Sequence, residues 1–219
     1  LVTLLWPFCV LLISIPFGQF PFFKRYITKL MRRMTGRKTA NSKNRLAIFA
    51  SGNGSNALNI IAYFKNHAFV SVVLVVSNNP AAGVIAKARQ AGIEVMLTDK
   101  NSLTDPAGCL SALQKKGITH IILAGFLAKV PTVIIRAFPN RILNIHPALL
   151  PKFGGKGMYG NHVHEAVIAQ KETESGISIH VVDEVYDHGK IIFQAKCAVK
   201  EDDTSDSLAE RIHELEHKH

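Results

Sequence analysis

The feature that most constrains this chain is a regular alternation of short aliphatic runs with stretches of helical periodicity. Residues 45–50 (RLAIFA), 70–76, 94–97, 119–123 (THIIL) and 141–144 (RILN) read as five strands. Residues 57–66 and 82–91 read as helices between the first three, and Gly92 follows the second at the position where helix ends favour glycine. A strand that is followed by a crossover helix cannot return by a tight turn, so its partner lies parallel. The expected fold is α/β: a doubly wound, mostly parallel sheet of Rossmann-like form, with helices on both faces.

The pattern changes after Asn144. Residues 147–159 are rich in Gly and Pro and read as a long loop, and residues 162–170 as a helix. Residues 176–182 and 190–199 read as two strands joined by a tight turn near 186–189, an antiparallel C-terminal hairpin. Residues 205–216 read as a helix capped by Thr204, with Leu208, Ile212 and Leu215 at helical spacing.

The 219-residue chain carries a net charge of +10. Taken whole, that suggests a nucleic-acid partner, but the charge is local. Lys24, Arg25, Lys29, Arg32, Arg33, Arg37, Lys38, Lys43 and Arg45 supply nine positive charges, and residues 1–45 hold no Asp or Glu. Residues 46–219 are left near neutral, which argues against a nucleic-acid protein. Residues 1–23 are uncharged and long enough to span a bilayer, which takes about 20 apolar residues. Pro7, Pro16, Gly18 and Pro21 interrupt them. A membrane anchor, an organelle-targeting extension and sequence upstream of the working protein are all open readings, and we favour the last. The division expected is an apolar and then basic extension over residues 1–44 and a catalytic domain over residues 45–219. Cys9, Cys109 and Cys197 show no metal or redox spacing, which fits a reducing compartment and a cytoplasmic protein.

Three segments could carry chemistry. SGNGSN, residues 51–56, lies between a strand and a helix, where free amides and the helix dipole attract an anion. It reads equally as a phosphate cradle or as an ordinary strand-to-helix turn. A dinucleotide fits it poorly, because Ala57 stands where a third glycine belongs and Ser77 and Asn78, not an acid, end the second strand. In NIHPALLP, residues 144–151, Asn144 and His146 are two apart at the carboxyl end of a strand and so point the same way. An amide beside an imidazole suits a developing oxyanion and proton movement, while a strand-end cap beside a bonded histidine is the plainer alternative. In HVVDEVYDHGKI, residues 180–191, turn formation accounts for most of the acids, and one carboxylate near His146 would orient its ring. The ten histidines include no set with metal-ligand spacing, so no metal is expected.

LAIFASGNGSN, LAGFL, NIHPALLPKFGG, SGISIHVVDEVYDHGKII and a closing LEH, in this order, resemble the phosphoribosylglycinamide formyltransferase family. The resemblance runs from Leu46 to the end of the chain. It implies formyl transfer from 10-formyltetrahydrofolate, used as co-substrate, to the amine of glycinamide ribonucleotide in purine biosynthesis. Asn144, His146 and Asp187 would be catalytic. Gly54, Ser55 and Asn56 would hold the substrate phosphate, Glu216 would approach the glycinamide end, and His180 matches a histidine of the cleft. Backbone at Leu127, Ala128, Lys129 and Val130, together with Asn144 and the loop containing Asp183, would hold the folate. Departures are Leu127-Ala128-Lys129 where the family often has Met-Arg, a longer loop at 154–160, and a chain that ends where the family continues with a helix. On this reading Asn144 and a protonated His146 donate to the oxyanion, and Asp187 moves a proton. A monomer and a homodimer fit equally well. The rivals are another folate-linked formyl enzyme (deformylase, methionyl-tRNA or amino-sugar formyltransferase), a Rossmann oxidoreductase, and a membrane-tethered or nucleic-acid-binding protein acting through residues 24–45.

Overall fold

The structure is a computed structural model and describes residues 43–219. The first half of the domain runs β1 (Asn44–Phe49), α1 (Ser55–Phe64), β2 (Val70–Ser77), α2 (Gly83–Gln90) and β3 (Glu94–Leu97). Two short helices, α3 (Lys100–Thr104) and α4 (Ser111–Lys115), flank a wide, kinked turn over Pro106–Leu110 and lead into β4 (His120–Leu123). The chain continues through α5 (Thr132–Ala137), β5 (Ile142–His146), α6 (Asn161–Ala169), β6 (Glu174–Val181), β7 (Ile191–Ala198) and α7 (Ser205–Lys218). The expectations for residues 1–42, whether anchor, targeting extension or basic arm, lie outside the described residues. Among the described residues no helix is long and apolar enough to cross a membrane.

The strands form one seven-stranded sheet in the order β3-β2-β1-β4-β5-β6-β7. The first five are parallel, and β6 and β7 pair antiparallel against β5 and each other. Alternation along β1 sends Ala47 and Phe49 to one face and Ile48 and Ala50 to the other. On the first face Phe49 packs with Leu74, Leu113, Ile121, Ile134 and Ile142. On the second, Ile48 and Val75 pack under α1 and α2 through Ala57, Ile61, Val84 and Ala88. Each large aliphatic side chain sealed in this way contributes about 1.5–3 kcal/mol. A third cluster, Val167, Ile177, Leu208 and Ile212, fixes α6 and α7 to the antiparallel end of the sheet.

The sequence expectations hold for the strands and the four longer helices. Thr204 caps α7 as expected: its side chain accepts from the Ser207 amide, while the Ser207 hydroxyl accepts from the Thr204 amide. Two differences follow from local geometry. Helices α3, α4 and α5, of five or six residues, were not anticipated, because one turn and a half shows no period. The link between β6 and β7 is a loop over residues 182–190 rather than a tight turn. Inside it Asp187 takes a left-handed φ of 52°, a conformation that asparagine and aspartate tolerate better than most residues.

From β1 the chain builds outward through β2 and β3, then returns to place β4 and β5 on the other side of β1. Such a reversal leaves the carboxyl ends of the two central strands uncovered by crossover helices, and ligands of open parallel sheets bind there. Residues 50–56, 124–130 and 147 onward all leave the sheet at this edge.

Candidate active site

The turn after β1 is held by its backbone before any ligand is considered. Gly54 has φ 79° and stands at the start of α1 with no side-chain cap, so the first amides of this ten-residue helix remain free. A Cβ on Gly54 would overlap the Val84 side chain, at 2.5 Å from its Cβ. This glycine is therefore set by its positive φ and by close packing of α2, rather than by the approach of a ligand, as glycines in such turns are usually read. Ser51 ties the turn to the opposite wall: its hydroxyl accepts from the Leu127 amide at 2.9 Å, and its own amide donates to Gly125 O at 3.0 Å.

Strand β5 presents Asn144 and His146 on one face, and the antiparallel register sets His180 of β6 directly opposite Asn144. Asp187 arrives from the loop that follows. Its Oδ2 accepts from the Gly155 amide at 2.9 Å, and its Oδ1 accepts from Asn144 Nδ2 at 3.3 Å. The same carboxylate lies 3.7 Å from His146 Nδ1 and 3.4 Å from His180 Nε2. Gly154 permits this approach, since a Cβ there would come within 3.1 Å of Asp187 Cβ.

Protonation follows from these partners. His146 Nε2 lies 2.8 Å from the Phe153 carbonyl, which can only accept, so Nε2 carries the hydrogen and Nδ1 of the neutral ring is bare. Burial pushes the His146 imidazole below its ordinary value, against the opposing pull of Asp187 and the Phe153 carbonyl. The resting ring is therefore neutral, and its contact with Asp187 becomes an ion pair only once a proton arrives. Burial by itself would raise the Asp187 carboxyl. The His180 hydrogen bond, the Gly155 amide and both imidazoles outweigh burial and leave it below the ordinary value, ionised. His180 Nδ1 faces the Val181 carbonyl at 3.0 Å, and its Nε2 lies 3.1 Å from Asn144 Nδ2 and 3.4 Å from Asp187 Oδ1.

These groups open into a cleft of about 690 Å³. Of the expected site residues, Asn56, Leu127, Ala128, Lys129, Val130, Asn144, His146, His180, Asp183, Asp187 and Glu216 line it. Gly54 and Ser55 sit in the turn just beyond, outside the lining. Glu216 comes from α7, at the far end of the chain, and its Oε2 accepts from Asn56 Nδ2 at 2.9 Å and pairs with His213 Nδ1 at 2.9 Å. Lys129 lies over the Tyr186 ring at 5.3 Å, bridging the two loops of the outer wall. Asp183 supports its own loop by accepting from the Val185 amide at 2.9 Å.

Sequence reading missed two lining histidines. His164 is 3% exposed, its Nδ1 has no partner, and burial lowers its pKa. His213 is raised by its bond to Glu216. The one available signal was helical phase: His164 lies on the α6 face that also carries Val163 and Val167, whereas His162 points out to Glu165. Among the described residues no group of three or more His, Cys, Asp or Glu side chains could hold a metal ion.

The pattern of the formyl transferase family matches residues 44–219. The chain is 39% identical to a chloroplastic phosphoribosylglycinamide formyltransferase of Arabidopsis thaliana, over 87% of this chain and 67% of that protein. It is 41% identical to the Vigna unguiculata protein of the same name, over 80% of this chain and 58% of the relative. The chain thus spans about two thirds or less of the length of these plant proteins. The crystal structure of phosphoribosylglycinamide formyltransferase from Bacillus halodurans superposes with a TM-score of 0.72 at 34% identity, covering 80% of this chain and 90% of that one.

Proposed function

The chain belongs to the formyl transferase family, and from that premise we propose that it transfers a formyl group from 10-formyltetrahydrofolate to the amine of glycinamide ribonucleotide, in purine biosynthesis. The catalytic domain on this reading spans residues 45–219. The observation that carries the proposal is the meeting of Asn144, His146, His180 and Asp187 at one strand end, on a cleft also lined by Asn56, the residue that follows Gly54 and Ser55 of the anion-attracting turn. The cleft volume is in the range usual for small-molecule sites, roughly 300–1,000 Å³. Its outer wall suits a flat heterocycle, with Leu127 and Val185 exposed and Val130 and Val182 behind them.

When bound, the folate supplies an activated formyl carbon on a nitrogen leaving group, and negative charge gathers on the formyl oxygen as an amine adds. The chain's own groups match that need. Asn144 Nδ2 turns a hydrogen from Asp187 or His180 toward the oxygen. His146 Nδ1, bare and facing the cleft side of Asp187, accepts the proton that the amine sheds on addition. The resulting imidazolium is held by the Asp187 carboxylate and donates onward, to the oxygen and then to the departing nitrogen. His180 backs the pair: neutral, it accepts from Asn144, and protonated, it donates to Asp187. At the acceptor end, the free amides of α1 hold the phosphate, and Glu216, fixed by Asn56 and His213, faces the sugar and glycinamide.

Turnover by the full chain with glycinamide ribonucleotide, methionyl-tRNA, an amino sugar and water as competing formyl acceptors tests the reading. The expected result is formylation of the ribonucleotide alone. Preference for any other acceptor would redirect the assignment within the family.

A further inference from the structure

Three buried side-chain atoms among the described residues have no hydrogen-bond partner: Asn56 Oδ1, His164 Nδ1 and Ser175 Oγ. Asn56 and His164 both line the cleft. A buried polar atom without a partner destabilises a fold, so two of them on one cleft point to a polar ligand group that completes them. Both atoms are acceptors. Asn56 directs its Nδ2 hydrogens to Glu216 Oε2, at 2.9 Å, which leaves its oxygen as the orphan. Burial holds the His164 ring below its ordinary pKa and so keeps it neutral. An orphaned bare nitrogen costs less than an orphaned N–H, so Nδ1 is the bare one. The ligand group that fits is therefore a hydrogen-bond donor.

His164 stands on the inner face of α6, 3% exposed, and the charged neighbours that act on its ring are His213 and Glu216 of α7 and His146 of β5. It thus borders both the base of the reaction and the carboxylate of the acceptor end. We propose that His164 is a further catalytic residue, whose imidazole holds the attacking amine by one N–H, a proposal that rests on the acceptor reading above. A neutral amine carries two hydrogens. His146 takes one as the nitrogen bonds to the formyl carbon, and His164 accepts a hydrogen bond from the other, which stays on the product amide. A group that holds a hydrogen without removing it has to be a weak base, and burial makes His164 one. The contact turns the lone pair of the amine toward the formyl carbon, so its contribution is orientation of the attack. Asn56 Oδ1, at the start of α1, is left for a donor nearer the phosphate.

The test compares wild type, His164→Leu and His164→Asn of the full chain, in urea unfolding and in turnover with glycinamide ribonucleotide. His164→Leu removes an orphaned polar atom, so its urea midpoint holds or rises. Its kcat/KM for the ribonucleotide falls about tenfold, with KM for the folate unchanged. His164→Asn returns an acceptor oxygen close to the Nδ1 position and restores most of the rate. A histidine kept for packing alone would give the opposite pattern. A lowered midpoint in His164→Leu, or a wild-type kcat/KM in it, overturns the proposal. Titration with glycinamide itself, followed through the histidine ring resonances by NMR, separates this proposal from the acceptor reading. A ribonucleotide that wild type does not formylate sinks that reading, and the titration then decides alone. Glycinamide bound about tenfold more weakly by His164→Leu supports the amine site. Equal affinity in the two proteins, or no binding by either, refutes it.

Discussion

Replacing Asp187 by asparagine tests the proposed proton path at its most exposed link. Asparagine adopts the left-handed region readily, so the φ of 52° at this position survives the change. The amide oxygen still accepts from Gly155, and the fold should lose only about 1 kcal/mol in a urea titration as a charge-assisted bond becomes neutral. Catalysis should lose far more. The carboxylate lies 3.7 Å from His146 Nδ1, and unit charges at that distance, in an effective dielectric of about 20, attract by about 4 kcal/mol. That attraction exists only while His146 is protonated, after the amine has added, so it lowers the barrier without tightening the ground state. Its loss should reduce kcat about 10³-fold, each 1.36 kcal/mol being a factor of ten, while KM for both substrates moves less than about tenfold. Initial rates at saturating substrate measure this. A kcat within about tenfold of wild type would refute the pairing of Asp187 with a transient imidazolium.

Asn144→Ala removes the amide donor and should lower kcat by about 10²–10³ with little change in the urea midpoint; an unimpaired rate would exclude Asn144 from oxyanion stabilisation. Burial holds His146 below its ordinary pKa of 6.5, and Asp187 stays ionised. The base form therefore persists as pH falls through 6.5, and the His146 ring of the free enzyme should gain its second proton only at lower pH; an NMR titration of that ring centred above 6.5 would contradict a neutral resting ring. Gly54→Ala forces a side chain into a φ of 79° and against Val84, and should cost at least about 1–2 kcal/mol of stability and raise KM for the ribonucleotide. Wild-type stability and KM in that variant would mean that the turn relaxes freely.

Local pattern carried much of the architecture. Continuous aliphatic runs between helical segments dictate parallel pairing, and the residues of β1 to β5 lie within one or two positions of where their composition puts them. The spacing of Asn144 and His146 is likewise a local fact, since period-two geometry in β5 sets both side chains on one face regardless of what they meet. The short helix α3 escaped because capping by Asp99, not periodicity, defines it, and α4, five residues long, shows no period.

What sequence alone determined was the class of fold, the turn ahead of α1, and an amide and an imidazole side by side at a strand end. Only the tertiary structure decided what surrounds them. The register of β5 against β6 sets His180 opposite Asn144, the nine-residue loop bends back to bring Asp187 between two imidazoles, and α7 carries Glu216 to a residue 160 positions earlier. The charge on His146 was decided there as well, because a pKa depends on how much water the fold removes and which dipoles replace it. Those quantities belong to the packed neighbourhood and to no segment of the chain read by itself.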